Sequence, residues 1–167
     1  MSSAEHKALA AERARVFVLT VSDTRTDDTD TAGRAIVDLL LAAGHQVAGK
    51  AIEPDEPARV AELVRQQAAI GDVDAIITTG GTGLTSRDST FEAIDALLHK
   101  RLPGFGELFR MLSYHDIGAA AMLSRACAGT IGRVIVISLP GSESAVRLAM
   151  SKLVVPELGH LVQQANK

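Results

Sequence analysis

Residues Asp74 to Thr90, DAIITTGGTGLTSRDST, decide how the whole chain is read. The β-prone run Ala75 to Thr79 empties straight into three glycines in four positions, Gly80, Gly81 and Gly83. A helical pattern follows, with Phe91, Ile94, Leu97 and Leu98 as its apolar stripe. Strand, glycine loop and helix in this order predict one unit of an open α/β sheet. The glycines permit positive φ and a close backbone approach. Successive N–H groups in such a turn form an anion-binding nest, and the helix that follows adds its positive end. Thr82, Thr85, Ser86 and Arg87 supply further donors. The loop does not match GxxxxGK[ST], because it has no lysine, and the third glycine of GxGxxG falls at Ser86. It carries the pair Arg87-Asp88 instead, so the aspartate beside a phosphate loop needs a role.

The same alternation extends in both directions. Val16 to Val21 predict a buried strand. A helix follows with Ile36, Leu39, Leu40 and Ala43 on one face, ended by Gly44. QVAGKAIEPDEP reads as a strand and a Pro-bounded turn, and Pro57 opens a helix to Ile70 that carries Val60, Leu63 and Val64. Ser89 or Asp88 is placed to cap the helix after the glycine loop. Arg101 to Met122 read as one or two short helices with glycine breaks. Two β-prone pieces around Ile131-Gly132 predict a hairpin that adds one antiparallel strand. A last helix starts near Glu143, and Pro156 is expected to interrupt or kink it. The fold class is therefore α/β, a mostly parallel sheet with one antiparallel strand, covered by helices on both faces. Residues 1–14 are expected to be a flexible start, and 15–167 a single domain.

In such folds ligands bind at the carboxyl ends of the strands. That rule selects Ser22-Asp23, Pro54-Asp55, Gly80 to Gly83 and Pro140-Gly141-Ser142 as four stretches converging on one rim. Taken singly, Asp88 suits a helix N-cap and Asp55 a turn residue beside Pro54. Together, next to a phosphate loop, they suggest oxygen ligands for Mg²⁺, which favours one or two carboxylates plus substrate phosphates. Ser142 fits either a small anion site or a plain N-cap. Asp28, Asp30 and Gly33 fall at calcium-loop positions, but Ala32 and Leu39 stand where ligands are required, so that motif is absent. A solvated loop closing over a site, or acids at a helix start, fits better. In PGFGELFRMLSYHDIG, Phe105, Leu108, Phe109 and Leu112 have helical spacing, as core or as an oligomer contact.

Composition narrows the partners. The chain has 167 residues, and its 3% aromatic content argues against base-stacking platforms for single-stranded nucleic acid. A formal charge of −3 gives no global attraction to nucleic acid or to an anionic membrane. No segment has the ~20 apolar residues of a membrane span. Cys127 is the only cysteine and reads as a small buried hydrophobe. The five histidines show no metal-ligand spacing. MSSAEHKALAAERAR lacks the apolar run of a signal peptide, which makes the cytoplasm the expected location.

TVSDTR…DTAG, PDE, TTGGTGLTSRDSTFEA, PGFGELFRMLS, LSRACAG and LPGSESAV, in this order, resemble the MogA/MoaB family of molybdenum cofactor biosynthesis, the MoaB-like branch in particular. The resemblance runs from about Arg15 to about Leu161. It implies a three-layer α/β/α molybdopterin-binding domain that assembles as a trimer or hexamer and works beside other cofactor-biosynthesis enzymes. It implies transfer of AMP from Mg·ATP to the terminal phosphate of molybdopterin, with release of pyrophosphate. The alternative is a non-catalytic molybdopterin-binding scaffold of the same pathway. The family's two catalytic acids fall on Asp55 and Asp88, and its nucleotide-binding glycines on Gly80 to Gly83. Its serine-acid pair after the first strand falls on Ser22-Asp23, and its LPG turn on Leu139-Pro140-Gly141.

Overall fold

The computed structural model describes residues 2–8 and 13–167. Within the stretch expected to be flexible, Ser3–Ala8 form a short helix, α1, while residues 1 and 9–12 lie outside the described residues. Six strands among the described residues build one sheet: β1 (Arg15–Val21), β2 (Gln46–Glu53), β3 (Ala75–Thr79), β4 (Lys100–Arg101), β5 (Cys127–Ile131) and β6 (Val134–Leu139), in the order β2-β1-β3-β6-β5-β4. β1 pairs in parallel with β2 and β3, and β3 with β6. β5 runs against both its neighbours, β6 and the two-residue edge strand β4. The hairpin expected at Ile131-Gly132 is what reverses it, and Gly132 takes the positive φ of 57° that the tight turn requires.

The period-2 side-chain alternation of the strands feeds two cores. Val16 and Val18 of β1 join Ile77, Ile137 and Leu139 against α2 (Thr31–Ala42), α5 (Pro103–Ile117), α6 (Glu143–Ala149) and α7 (Val155–Ala165). Phe17, Leu19 and Val21 join Ile76 and Val136 against α3 (Pro57–Ile70) and α4 (Thr90–Asp95). Each fully buried side chain of this size contributes about 1.5–3 kcal/mol of hydrophobic free energy, so a sheet buried on both faces supplies a mainly aliphatic core, with Phe17, Phe105 and Phe109 as its aromatic members.

Local structure refines three readings. Of the glycines after Arg101, Gly118 (φ 69°) ends a helix as expected, but Gly104 and Gly106 do not: both lie inside the one helix Pro103–Ile117. Gly106 is there for close packing, since a Cβ would stand 2.8 Å from the Ala126 carbonyl oxygen. Phe105 and Phe109 stack into the core with ring centroids 6.4 Å apart, whereas Leu108 is exposed. The last helix is interrupted next to Pro156, as expected. The preceding turn, Met150–Val154, widens into a π-helical segment that accommodates the missing N–H, and α7 continues from Val155.

His45, given no role by the sequence, is buried and its Nδ1 accepts from the Ala14 N–H at 3.0 Å. Burial holds its pKa below the ordinary 6.5. A lowered folded pKa means that the unfolded chain takes up the proton first, so the contribution is complete above pH 6.5 and is lost as pH falls. Urea unfolding should therefore show stability falling below pH 6.5, by at most about 1.4 kcal/mol per pH unit, and His45→Asn should flatten that slope.

The chain leaves β1 for β2 on one side through α2, then crosses to β3 on the other side through α3. The order reverses beside β1, and an open sheet offers its binding crevice at such a switch point.

Candidate functional site

A cavity of about 260 Å³ opens at that switch point. Its walls come from the end of β1 with Ser22 and Asp23, from Asp55 after β2, from Gly80 and Gly81 after β3 with Arg87 and Asp88, and from Gly141 after β6. All four strand-end stretches selected from the sequence thus reach one rim. They do not contribute equally. Thr82, Gly83, Pro140 and Ser142 do not line it. Ser142 is the N-cap of α6 and accepts from the Ala145 N–H at 3.3 Å.

Gly80 and Gly81 have φ of 99° and 69°. Neither can be replaced in place. A Cβ at Gly80 would lie 2.1 Å from the Val21 carbonyl oxygen, and one at Gly81 would lie 2.2 Å from Thr90 Oγ1 and 2.7 Å from Asp55 Oδ2. The loop backbone is thus packed tightly against β1, Thr90 and Asp55, with the Gly80 N–H donating to the Leu139 carbonyl at 3.0 Å and the Gly81 carbonyl accepting from the Thr90 N–H at 3.0 Å.

Asp55 is buried, and its Oδ1 accepts from Ser89 Oγ (2.8 Å), Ser89 N–H (3.2 Å) and Thr90 Oγ1 (3.2 Å). This explains why neither expected cap closes α4: the Ser89 hydroxyl is drawn across to the end of β2, and Ser89 caps with no side-chain bond. Asp88 turns back into the loop, where its Oδ2 accepts the Thr85 hydroxyl at 2.5 Å and the Thr85 N–H at 3.1 Å. The Thr85 hydroxyl, followed by the Thr85 and Gly83 N–H groups and the Arg125 charge, holds the Asp88 carboxyl below the usual carboxylate range, against a smaller opposing effect of burial. Asp88 is thus ionised near neutrality. In each acid one oxygen carries most of these bonds, leaving Asp55 Oδ2 and Asp88 Oδ1 as the less engaged pair.

Arg87 reaches Asp23 with two parallel bonds, Nε to Oδ2 at 3.0 Å and Nη2 to Oδ1 at 2.9 Å. The guanidinium beside it lowers the Asp23 pKa, helped by the Asp55 N–H that Asp23 Oδ1 also accepts at 3.1 Å. An anion entering the cavity has to compete with Asp23 for this fork. The Ser22 hydroxyl is committed to its own turn, accepting from the Thr24 and Arg25 N–H groups.

Among the described residues no group of three or more His, Cys, Asp or Glu is placed to hold a metal ion. Two carboxylates lining one cavity suit the lighter demand of Mg²⁺, which keeps waters and takes phosphate oxygens for the rest of its shell.

Sequence reasoning left three residues out of the site: Asp30, read only as an acid at a helix start, Lys50 and Arg125. Asp30, 1% exposed, caps α2 through the Gly33 N–H at 2.9 Å and lines the cavity floor. Burial alone would raise its pKa, but Lys50 Nζ at 2.7 Å, Thr20 Oγ1 at 2.6 Å and Gly33 outweigh it and keep the pKa low. Lys50 of β2 pairs with Asp30 without itself lining the cavity, and the 20-residue spacing between them is too long to read locally. Arg125 holds the loop through the Thr82 and Gly83 backbone carbonyls, which no side-chain pattern announces, and pairs with Glu92. Cys127 is half-buried, and burial pushes its thiol up to about 12, which leaves it protonated and unreactive near neutrality.

Comparison with known proteins finds relatives along most of the chain. A family model described as a probable molybdopterin binding domain matches residues 17–160. The chain is 51% identical over 168 residues to molybdenum cofactor biosynthesis protein B of Bacillus anthracis, covering 100% of this chain and 99% of that protein. A crystal structure of a molybdenum cofactor biosynthesis protein B superposes with a TM-score of 0.91 at 51% identity, covering 94% of this chain and 98% of that one. The tungsten cofactor synthesizing protein MoaB of Pyrococcus furiosus superposes at 0.84 with 36% identity, covering 95% and 100%.

Proposed function

The chain belongs to the family of molybdopterin binding domains represented by molybdenum cofactor biosynthesis protein B, and from that premise we propose that it adenylylates molybdopterin at the expense of Mg·ATP. Its place in molybdenum cofactor biosynthesis follows from the family. The adenylyl transfer rests on one observation: Asp55 and Asp88 line the same cavity as the Gly80-Gly81 backbone. Gly80 and Gly81 bring backbone close to the nucleotide phosphates. Arg87 exchanges Asp23 for phosphate oxygens as charge builds up. Asp55 and Asp88 would hold Mg²⁺, which when bound offsets phosphate charge and orients the leaving pyrophosphate. The terminal phosphate of molybdopterin, mostly ionised near neutrality, attacks without needing a general base. Positioning and charge neutralisation then carry the rate. In this reading the reaction takes place in the cytoplasm.

Pyrophosphate release should require molybdopterin and a divalent cation together, and should stop on addition of a chelator. Release that persists with chelator removes Mg²⁺ from the reaction. Binding of molybdopterin without any release leaves the non-catalytic scaffold.

The protein acts as a homo-oligomer in this reading, and α5 offers the contact. Leu108, Met111, Tyr114 and Ile117 recur every third residue and are all exposed, and Met122 and Leu123 continue the patch on the 3₁₀ turn Gly118–Leu123. Apolar residues this large and this clustered mark an association surface. Met122→Glu combined with Met111→Glu should convert the trimer or hexamer to monomer in light scattering. An unchanged mass would place the contact elsewhere.

A further inference from the structure

Arg125 approaches the glycine loop from outside the cavity. Its side chain is only 22% exposed. Nε donates to the Thr82 carbonyl at 2.9 Å and Nη2 to the Gly83 carbonyl at 2.5 Å. Nη1 makes a short bond to Glu92 Oε1, Nη2 reaches Glu92 Oε2 at 3.4 Å, and the guanidinium carbon lies 5.0 Å from the centre of the Phe91 ring. A planar fork with donors on both edges can span two carbonyls and a carboxylate at once, which an ammonium cannot.

The consequence follows from peptide geometry. In a trans peptide the C=O and the next N–H point in opposite directions. Holding the Thr82 and Gly83 carbonyls toward Arg125 therefore turns the Gly83 and Leu84 N–H groups away from it. Asp88 lies on that side: the Gly83 N–H is directed at its carboxylate, and a Cβ on Gly83 would stand 2.6 Å from Asp88 Oδ2.

We propose that Arg125 is a positioning residue for the nucleotide half of the site, fixing the two peptides after Thr82 so that the loop and Asp88 keep one geometry before any ligand arrives. The proposal rests on the nucleotide reading given above. Without the clamp the three-glycine loop has many conformations to lose on binding, and that entropy falls on nucleotide affinity. Arg125 touches neither Ser22-Asp23 nor Gly141, so that part of the cavity is spared.

The test compares wild-type protein with Arg125→Gln and Arg125→Lys. Amide hydrogen exchange at Gly83 and Leu84 should speed up at least about tenfold in both variants, with β3 and β6 amides as protected as before. Calorimetry should show Mg·ATP affinity falling about 10- to 100-fold in Arg125→Gln, less in Arg125→Lys, and molybdopterin affinity unchanged. Unaltered exchange at Gly83 and Leu84 overturns the clamp. Equal losses of both ligands, with protection lost throughout the sheet, reduce Arg125 to a fold residue and overturn the positioning role. A wild-type protein that binds no Mg·ATP ends the nucleotide reading and the ligand half of the proposal. The exchange rates then still decide whether Arg125 holds the loop.

Discussion

Asp88→Asn should lower AMP transfer to molybdopterin by about 10³-fold, the loss expected when a group that stabilises transition-state charge is removed. The fold should stay intact. The carboxamide oxygen of this variant can still accept the Thr85 hydroxyl and N–H that Asp88 accepts now, so the loop keeps its shape while the carboxylate charge goes. The unfolding free energy should change by no more than about 0.5 kcal/mol, the usual range for a substitution that removes no packing. Asp55 is the less clean probe. It accepts three bonds that tie the start of α4 to the end of β2, so Asp55→Asn loosens the site as well as discharging it. Steady-state pyrophosphate release at saturating Mg·ATP and molybdopterin, beside urea unfolding of the same preparations, separates charge from structure. Turnover of Asp88→Asn within about twofold of wild type would remove the metal role assigned to this acid.

Gly80→Ala should be the most damaging single methyl group in the chain, costing about 3–5 kcal/mol of stability and abolishing nucleotide binding. Two effects add. The φ of 99° is a conformation L residues rarely adopt, and the new Cβ would meet the Val21 carbonyl oxygen at 2.1 Å. The obstacle is backbone of the neighbouring strand, which cannot rotate away. Gly44→Ala supplies the comparison. Gly44 has a similar φ of 86° but nothing within 4 Å of its Cβ position, so that change should cost only about 1 kcal/mol. Denaturant unfolding of both variants checks the difference. Equal losses would mean that φ strain alone decides, and that the close approach of the loop to β1 is unimportant.

The alternation of strands and helices was legible because each strand ends in a turn signal and each helix shows a single apolar stripe. β3 leading into Gly80 and Gly81 is the plainest case, and it located the switch point and the cavity that opens there. Asp55 and Asp88 were legible for the same reason: each is the first acid after a strand. What could not be read depended on distant partners. Ser89 looked like a cap for α4, yet the end of β2, 34 residues away in sequence, takes its hydroxyl. Gly106 looked like a helix break, yet the Ala126 carbonyl needs the space its missing side chain leaves. The Lys50–Asp30 pair joins residues 20 apart, and Arg125 holds carbonyls more than 40 residues upstream. Short-range pattern carries no information about such pairs. They arise only once the sheet order brings β2, β3 and β5 together.

Adenylyl transfer at the cavity between β1 and β3 is tested most directly by incubating the intact protein with molybdopterin, Mg²⁺ and ATP labelled at the α-phosphate. Adenylylated molybdopterin carrying the label should appear, matched one for one by pyrophosphate, and disappear with Asp88→Asn or with chelator. A folded protein that binds molybdopterin yet forms no labelled product contradicts adenylyl transfer and leaves a protein that carries the pterin without modifying it.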